Sequence, residues 1–398
     1  MKKEKDHYSP TIYWLTKKIG CLVGKLKQNT RYFCPEEVKK LRGPFIVCAN
    51  HVGLWDPFLL CKPFHNGVRY ITSDAAFRTP LKGWFLRKLG CIPKTKGVRD
   101  SNTIRNMLKV FKKKQVIGLF PEGDRSYDGK TMPLNDATAK LLKKIKLPVI
   151  ACRHSGSSFA HPRWCAKSNR GLVEFRYSIL FTPRQLETLD EDEVQTRLQQ
   201  ALENDDALWQ EERKIDYRAG RRAEKIEHAV FICPECGTYA SITSRGDSFS
   251  CAACERAWYV NTRFIFEEGL SGGDAAVHET LRDWMAWQRK RLTSDIKKLQ
   301  KEEPLFSDTG CTLFSGYKVE PLKELGRGGA LLTKSGLLFQ FADGKQRLLR
   351  ASEIYGLTTQ EGETLEFYHE NHCYQFQFEG FVSACKWMHA LQAAGASM

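Results

Sequence analysis

Between residues 40 and 180, short apolar runs alternate with helical stretches. PFIVCAN, GVRYITS, CIPKTK, VIGLFP, LPVIACR and LVEFRYSILF read as strands, and segments such as SNTIRNMLKVFKKK lie between them at helical spacing. A chain patterned in this way covers both faces of a sheet whose strands run mostly in one direction. The expected fold is an α/β domain with a largely parallel core sheet. In such sheets ligands bind beyond the carboxyl ends of the strands, so the residues that follow each apolar run come first in the search for function.

The first such run ends in NHVGLWD, residues 50–56. A histidine works as a general base near neutral pH when its second ring nitrogen is held by an acceptor, and a carboxylate serves that purpose. His51 and Asp56 are five residues apart, about 140° on an ideal helix. A plain helix would not pair them, whereas a strand-to-helix turn would, and Gly53 permits such a turn. No GxSxG motif and no serine or cysteine nucleophile stands beside them, so the pair reads as a base that activates another molecule's hydroxyl. About seventy residues on, the run VIGLF ends in FPEGDRS, residues 120–126. There Arg125 offers a planar fork suited to phosphate, and Gly123 lets the backbone approach closely. Taken singly, each stretch also reads as an ordinary polar turn.

Together, NHxxxxD and FPEGxRS resemble the lysophosphatidic acid acyltransferase family, within the broader glycerolipid acyltransferases. FRTPLKGWFLRKLGCIPKTKGVRD, residues 77–100, is similar to that family's approach to its acceptor-binding motif, and LPVIACR, residues 147–153, to its fourth motif. The resemblance spans roughly residues 10–225. It implies that His51 takes the proton from the free hydroxyl of lysophosphatidic acid while Asp56 orients and charge-balances it. That hydroxyl would attack the thioester of an acyl-CoA or acyl-carrier protein without an acyl-enzyme intermediate, forming phosphatidic acid. Glu122, Gly123 and Arg125, with Lys96 and Arg99, would bind the acceptor's phosphate end. Two residues depart from the family pattern. Asp124 stands where threonine is common, and Lys96 stands near a position usually held by arginine, with Arg99 three residues on. Both bear on which acceptor is used: another lysophospholipid, or glycerol phosphate, is the alternative. A reading of a different class is a membrane-bound, lipid-binding scaffold with a weakly active domain.

The charge distribution agrees with an anionic partner. Residues 1–120 hold 25 Lys and Arg against 7 Asp and Glu, a net +18, while the whole chain carries +16. The phosphates of acceptor and donor and an anionic bilayer all attract such a half. No run of 18 apolar residues marks a transmembrane helix. TIYWLTKKIGCLVGKLK, residues 11–27, places Ile12, Leu15, Ile19, Leu22, Val23 and Leu26 at helical spacing among lysines. It reads either as an interfacial helix or as a helix packed on the domain's own core. The resemblance favours the interfacial helix, on an enzyme peripheral or monotopic at the cytoplasmic face of a membrane. No signal peptide with a clear cleavage site is evident, and the scattered cysteines fit a reducing compartment.

Cys233, Cys236, Cys251 and Cys254 form CPEC, fourteen residues, then CAAC. Two such knuckles deliver four thiolates to one tetrahedral ion, so a zinc ribbon with structural zinc is expected. A redox CxxC would not account for the second pair. Ribbons often touch nucleic acid, but the basic charge lies elsewhere in this chain and no nucleic acid partner is expected. Residues 184–228 read as a long charged helix, and 274–302 as another. From 310 to 380 β-like runs follow, and VSACKWMHALQAA closes the chain as an amphipathic helix, with Val382, Cys385, Trp387, Met388 and Leu391 on its apolar side. This last part resembles a pleckstrin-homology-like module; it would bind acidic lipid heads or an unidentified protein, or simply rigidify the chain. The expected parts are a docking helix region (1–30), the acyltransferase domain (31–228), the ribbon (229–262), a linker helix (263–305) and the β domain (306–398).

Overall fold

The computed structural model describes residues 7–97, 101–165, 167–218, 220–300, 303–360, 363–380 and 382–397. Its contacts divide the chain into two compact units. The first comprises Met1–Thr95, Arg99–Pro162 and Lys167–Arg218; the second comprises Lys96–Val98, Arg163–Ala166 and Ala219–Met398.

In the first unit, seven strands form one sheet: β1 (Asn29–Phe33), β2 (Ile46–Ala49), β3 (Val68–Ser73), β4 (Ile92–Lys94), β5 (Val116–Leu119), β6 (Val149–Ser155) and β7 (Leu172–Phe181). Their spatial order is β1-β7-β6-β2-β5-β3-β4. From β6 to β4 every pairing is parallel; β7 runs antiparallel to β6, and β1 is parallel to β7. The sheet is largely parallel, as the alternation of runs implies. All residues of β2 and β5 are buried, which is why those strands read as unbroken apolar runs. Helices Ser101–Lys112, Ala137–Ile145 and Glu191–Leu202 contribute Met107, Val110, Phe111, Leu142, Val194 and Leu198 to one core with Ile46, Ile117 and Leu119. The charged stretch after β7 is not one helix. It breaks into Pro183–Thr188, Glu191–Leu202 and Asp206–Arg213, because Asp190 forms a capping box with Glu193 and Asp205 caps the third helix.

The N-terminal helix Pro10–Lys27 turns the usual amphipathic pattern inside out. Its buried residues are Tyr13, Lys17, Gly20 and Gly24, while Leu15, Ile19, Leu22 and Leu26 are more than half exposed. The glycines let it lie close to the short helix Asp56–Leu59. A Cβ on Gly20 would come 2.9 Å from the Phe58 Cβ, and one on Gly24 would come 2.2 Å from a Leu59 methyl. Buried Lys17 donates to the Phe64 carbonyl at 2.6 Å.

The second unit holds two sheets. In one, β8 (Ile242–Arg245), β9 (Ser248–Cys251), β10 (Ala257–Val260) and β11 (Phe266–Glu268) pair antiparallel in the order β11-β10-β9-β8. Phe249, Trp258 and Phe266 surround Trp284 of helix Leu281–Lys298, with ring centroids 5.0–6.0 Å from it. The other sheet is antiparallel, with β12 (Phe306–Gly316), β13 (Lys323–Thr333), β14 (Gly336–Phe341), β15 (Gln346–Arg350), β16 (Tyr355–Gln360), β17 (Thr364–His369) and β18 (His372–Phe378). Its order is β15-β14-β13-β12-β18-β17-β16, and helix Ala384–Ala393 follows. That helix is not amphipathic in place: every residue from Ala384 to Leu391 is buried. Lys386 can be buried because its ammonium lies 2.8 Å from the Asp308 carboxylate, which also accepts the Trp387 indole N–H.

Candidate active site

β2 ends at Ala49 and β5 at Leu119, and the two motifs begin one residue past each end. They are tied together through the main chain of His51 itself. Its N–H donates to Glu122 Oε1 at 2.6 Å, and its carbonyl accepts from the Ser126 N–H at 2.9 Å. The chain then turns through Gly53 into helix Asp56–Leu59, so the aspartate comes back onto the imidazole. His51 Nδ1 lies 2.9 Å from Asp56 Oδ2. The same oxygen accepts the N–H groups of Val52 at 2.8 Å and Gly53 at 2.9 Å.

Burial would raise the Asp56 carboxyl, but the charges and hydrogen bonds of His154 and His51 outweigh it and hold the group well below the usual carboxylate range. Asp56 is therefore an anion, and it fixes His51 with Nδ1–H donating. Among the described residues no partner is bonded to Nε2, which keeps its lone pair. The His51 ring stacks on Phe120, with centroids 3.8 Å apart, and its side chain remains 17% exposed. Burial also pushes the His51 imidazole below its ordinary value, against the pull of Asp56. The group is thus neutral, oriented and accessible, as a general base must be.

Glu122 is brought to His51 but spends both oxygens on main-chain N–H groups, those of His51 and, at 2.8 Å, Met132. Burial pushes its carboxyl up to about 8. Its place in the structure is that of a brace for the His51 backbone. Gly123 adopts a left-handed φ of +75° and is exposed, with open space where a Cβ would lie. Arg125 is half-buried and acts electrostatically on both His51 and His161. Asp124 accepts the Arg125 N–H at 2.7 Å. Lys96 groups with the second unit, beside Gly356. Arg99 lies outside the described residues.

Sequence reading stops one residue short of His154, at the end of LPVIACR. That imidazole is fully buried on β6, with Nε2 2.8 Å from the Asn50 carbonyl and 3.4 Å from Asp56 Oδ2, and Nδ1 2.8 Å from Ser157 Oγ. Asn50 in turn exchanges two 2.9 Å hydrogen bonds with the His154 main chain, continuing the β2–β6 ladder with a side chain. The only available signal was positional, since His154 also sits at a parallel strand's carboxyl end.

In the second unit, the four cysteines do come together: their sulfurs all lie within 4.8 Å of one another. The Cys233–Cys254 and Cys236–Cys251 separations are both 3.7 Å. A tetrahedron of sulfurs about 2.3 Å from a central ion has edges of about 3.8 Å, so the spacing fits one. The Ala253 N–H points at Cys251 Sγ, 3.4 Å away, and Thr238 contacts lower the Cys236 thiol to about 6, whereas Cys233 and Cys254 are raised. The cluster can hold a metal ion.

Comparison with known proteins bears on the first unit. The Acyltransferase family profile matches residues 29–155, from β1 through the end of β6. A 1-acyl-sn-glycerol-3-phosphate acyltransferase of Saccharomyces cerevisiae is 26% identical over 187 residues, covering 46% of this chain and 60% of that protein. One from Bacillus subtilis is 23% identical over 117 residues, covering 29% of this chain and 57% of its own length. The chain thus spans less than two thirds of these relatives. The crystal structure of the 1-acyl-sn-glycerophosphate acyltransferase PlsC from Thermotoga maritima aligns with a TM-score of 0.42 at 22% identity, over 50% of this chain and 79% of that one. The stretch that the profile matches holds His51, Asp56 and the FPEGDRS turn, so over residues 29–155 this chain is similar to the Acyltransferase family, and the relatives that it resembles there are 1-acyl-sn-glycerol-3-phosphate acyltransferases.

Proposed function

We propose that the protein transfers a fatty acyl group from acyl-CoA or acyl-carrier protein to the free hydroxyl of lysophosphatidic acid, forming phosphatidic acid. The observation that carries this reading is the 2.9 Å contact between His51 Nδ1 and Asp56, on an imidazole whose side chain stays 17% exposed. The acceptor hydroxyl gives its proton to His51 Nε2 as its oxygen bonds to the thioester carbonyl carbon. The tetrahedral intermediate then collapses, the C–S bond breaks, and the thiolate leaves with the proton that His51 returns. Asp56 stabilises the imidazolium between the two steps. Arg125 and the turn at Gly123 hold the acceptor's phosphate.

The enzyme would work peripherally at the cytoplasmic face of a membrane, where anionic lipid is found and buried thiols stay reduced. The exposed Leu15, Ile19, Leu22 and Leu26 on Pro10–Lys27, with Lys18 and Lys25 also exposed, support this, as do exposed Leu81 and Trp84 on helix Pro80–Lys88. The four-cysteine cluster would carry structural zinc.

Product analysis by mass spectrometry, with lysophosphatidic acid, a choline lysophospholipid and glycerol phosphate offered to each donor, tests the assignment. Phosphatidic acid should dominate, and Arg125→Gln should raise the acceptor KM roughly tenfold. Acylation that ignores the phosphate monoester would contradict the assignment.

A further inference from the structure

His51 and His154 converge on one oxygen. Asp56 Oδ2 lies 2.9 Å from His51 Nδ1 and 3.4 Å from His154 Nε2. The second imidazole is fully enclosed and cannot meet a substrate. It is also held from every side. Ser157 Oγ sits at Nδ1, the Asn50 carbonyl at Nε2, and the Asn50 amide on its main chain. The start of the short helix Ser157–Ala160 is itself pinned by buried Asp206, which accepts from the N–H groups of Gly156 and Ser158 and from the Ser158 hydroxyl.

We infer that His154 is a positioning residue of the reaction centre: it holds Asp56 for His51 and, by carrying a proton of its own, governs the proton affinity of the base.

All three neighbours can accept. With both ring nitrogens protonated, Nδ1–H donates to the serine oxygen and Nε2–H is shared between the Asn50 carbonyl and Asp56. The carboxylates facing it are Asp56 and, from helix Asp206–Arg213, Asp206; these overcome its burial and favour the charged ring. Glu122 feels its charge from the β5 side. On β7, Glu174, register partner of Ser155, is paired with Arg176 and Arg213. Around His51 the other cation is Arg125. A cationic His154 shares the countercharge of Asp56, so a proton on His51 gains less from that aspartate. His51 then stays unprotonated, and usable as a base, to lower pH than a simple His–Asp pair would allow.

The test uses the full-length protein labelled with ¹⁵N-histidine, titrated by NMR between pH 5 and 9, as wild type and as His154→Gln. His154 should show two N–H protons across the range in which His51 titrates, and the His51 midpoint should rise in the variant. The rate arm rests on the acyl-transfer reading. The acid limb of kcat/KM for thiol release should move to higher pH in His154→Gln. Its rate at pH 6, relative to its own plateau, should fall roughly three- to tenfold below the wild-type ratio. A merely structural residue would scale the rate and leave the profile in place. If wild type shows no transfer, that reading fails, yet the His51 titration still decides the role of His154. Should His154→Gln not fold, Ser157→Ala removes the Nδ1 partner, and a smaller rise of the His51 midpoint is expected. A neutral His154 at pH 7, or an unmoved His51 midpoint in the folded variant, overturns the inference.

Discussion

Replacing Asp56 by asparagine keeps the size of the side chain and removes the anion. The oxygen that faces Val52 N–H and Gly53 N–H would still be served, but the imidazolium formed during transfer would lose its countercharge. Turnover should fall by about 10²- to 10⁴-fold with a modest rise in KM, measured as initial rates at saturating acceptor. A loss confined to KM would mean that Asp56 serves binding instead. At this scale the sequence revealed His51 and Asp56 because both stand in one short motif after a strand. It could not reveal that Glu122 turns to the His51 and Met132 amides, since a PEG turn looks the same whether its carboxylate faces solvent or backbone. It hid His154 as well: only the parallel pairing of β2 with β6 brings residues 50 and 154 side by side.

Helix Pro10–Lys27 shows how an element can be legible in its extent and not in its direction. The spacing of Leu15, Ile19, Leu22 and Leu26 defines an apolar face, but the choice between core and outside rests on Gly20 and Gly24, which fit against Phe58 and Leu59. Gly24→Ala should push the helix away from the segment that begins with Asp56. It should cost about 1–3 kcal/mol in chemical denaturation and lower kcat as well. Leu22→Ser with Leu26→Ser, changing only exposed positions, should leave stability intact and reduce sedimentation with anionic vesicles; unchanged sedimentation would remove this face from membrane docking. The six apolar runs all became strands, whereas β1, NTRYF, escaped notice because it is polar, short and at the sheet's edge. The charged stretch after β7 read as continuous because its helical propensity is continuous; the breaks come from caps at Asp190 and Asp205.

Across the whole molecule, the residues gathered around His51 all belong to the first unit, and the four cysteines all belong to the second. Chelation, or Cys236→Ser, should therefore lower the melting of the second unit while acceptor-dependent transfer in the full chain persists. Metal analysis should find about one zinc per chain. Loss of transfer on chelation under conditions where the first unit stays folded would show that the metal serves the reaction. The most direct test of the central claim is thiol release from a fatty acyl-CoA by the purified full chain, with and without lysophosphatidic acid, beside His51→Ala. Acceptor-dependent release that falls by about 10²-fold or more in the variant is the expected result. Release that His51→Ala retains would take the imidazole out of the chemistry and contradict the account.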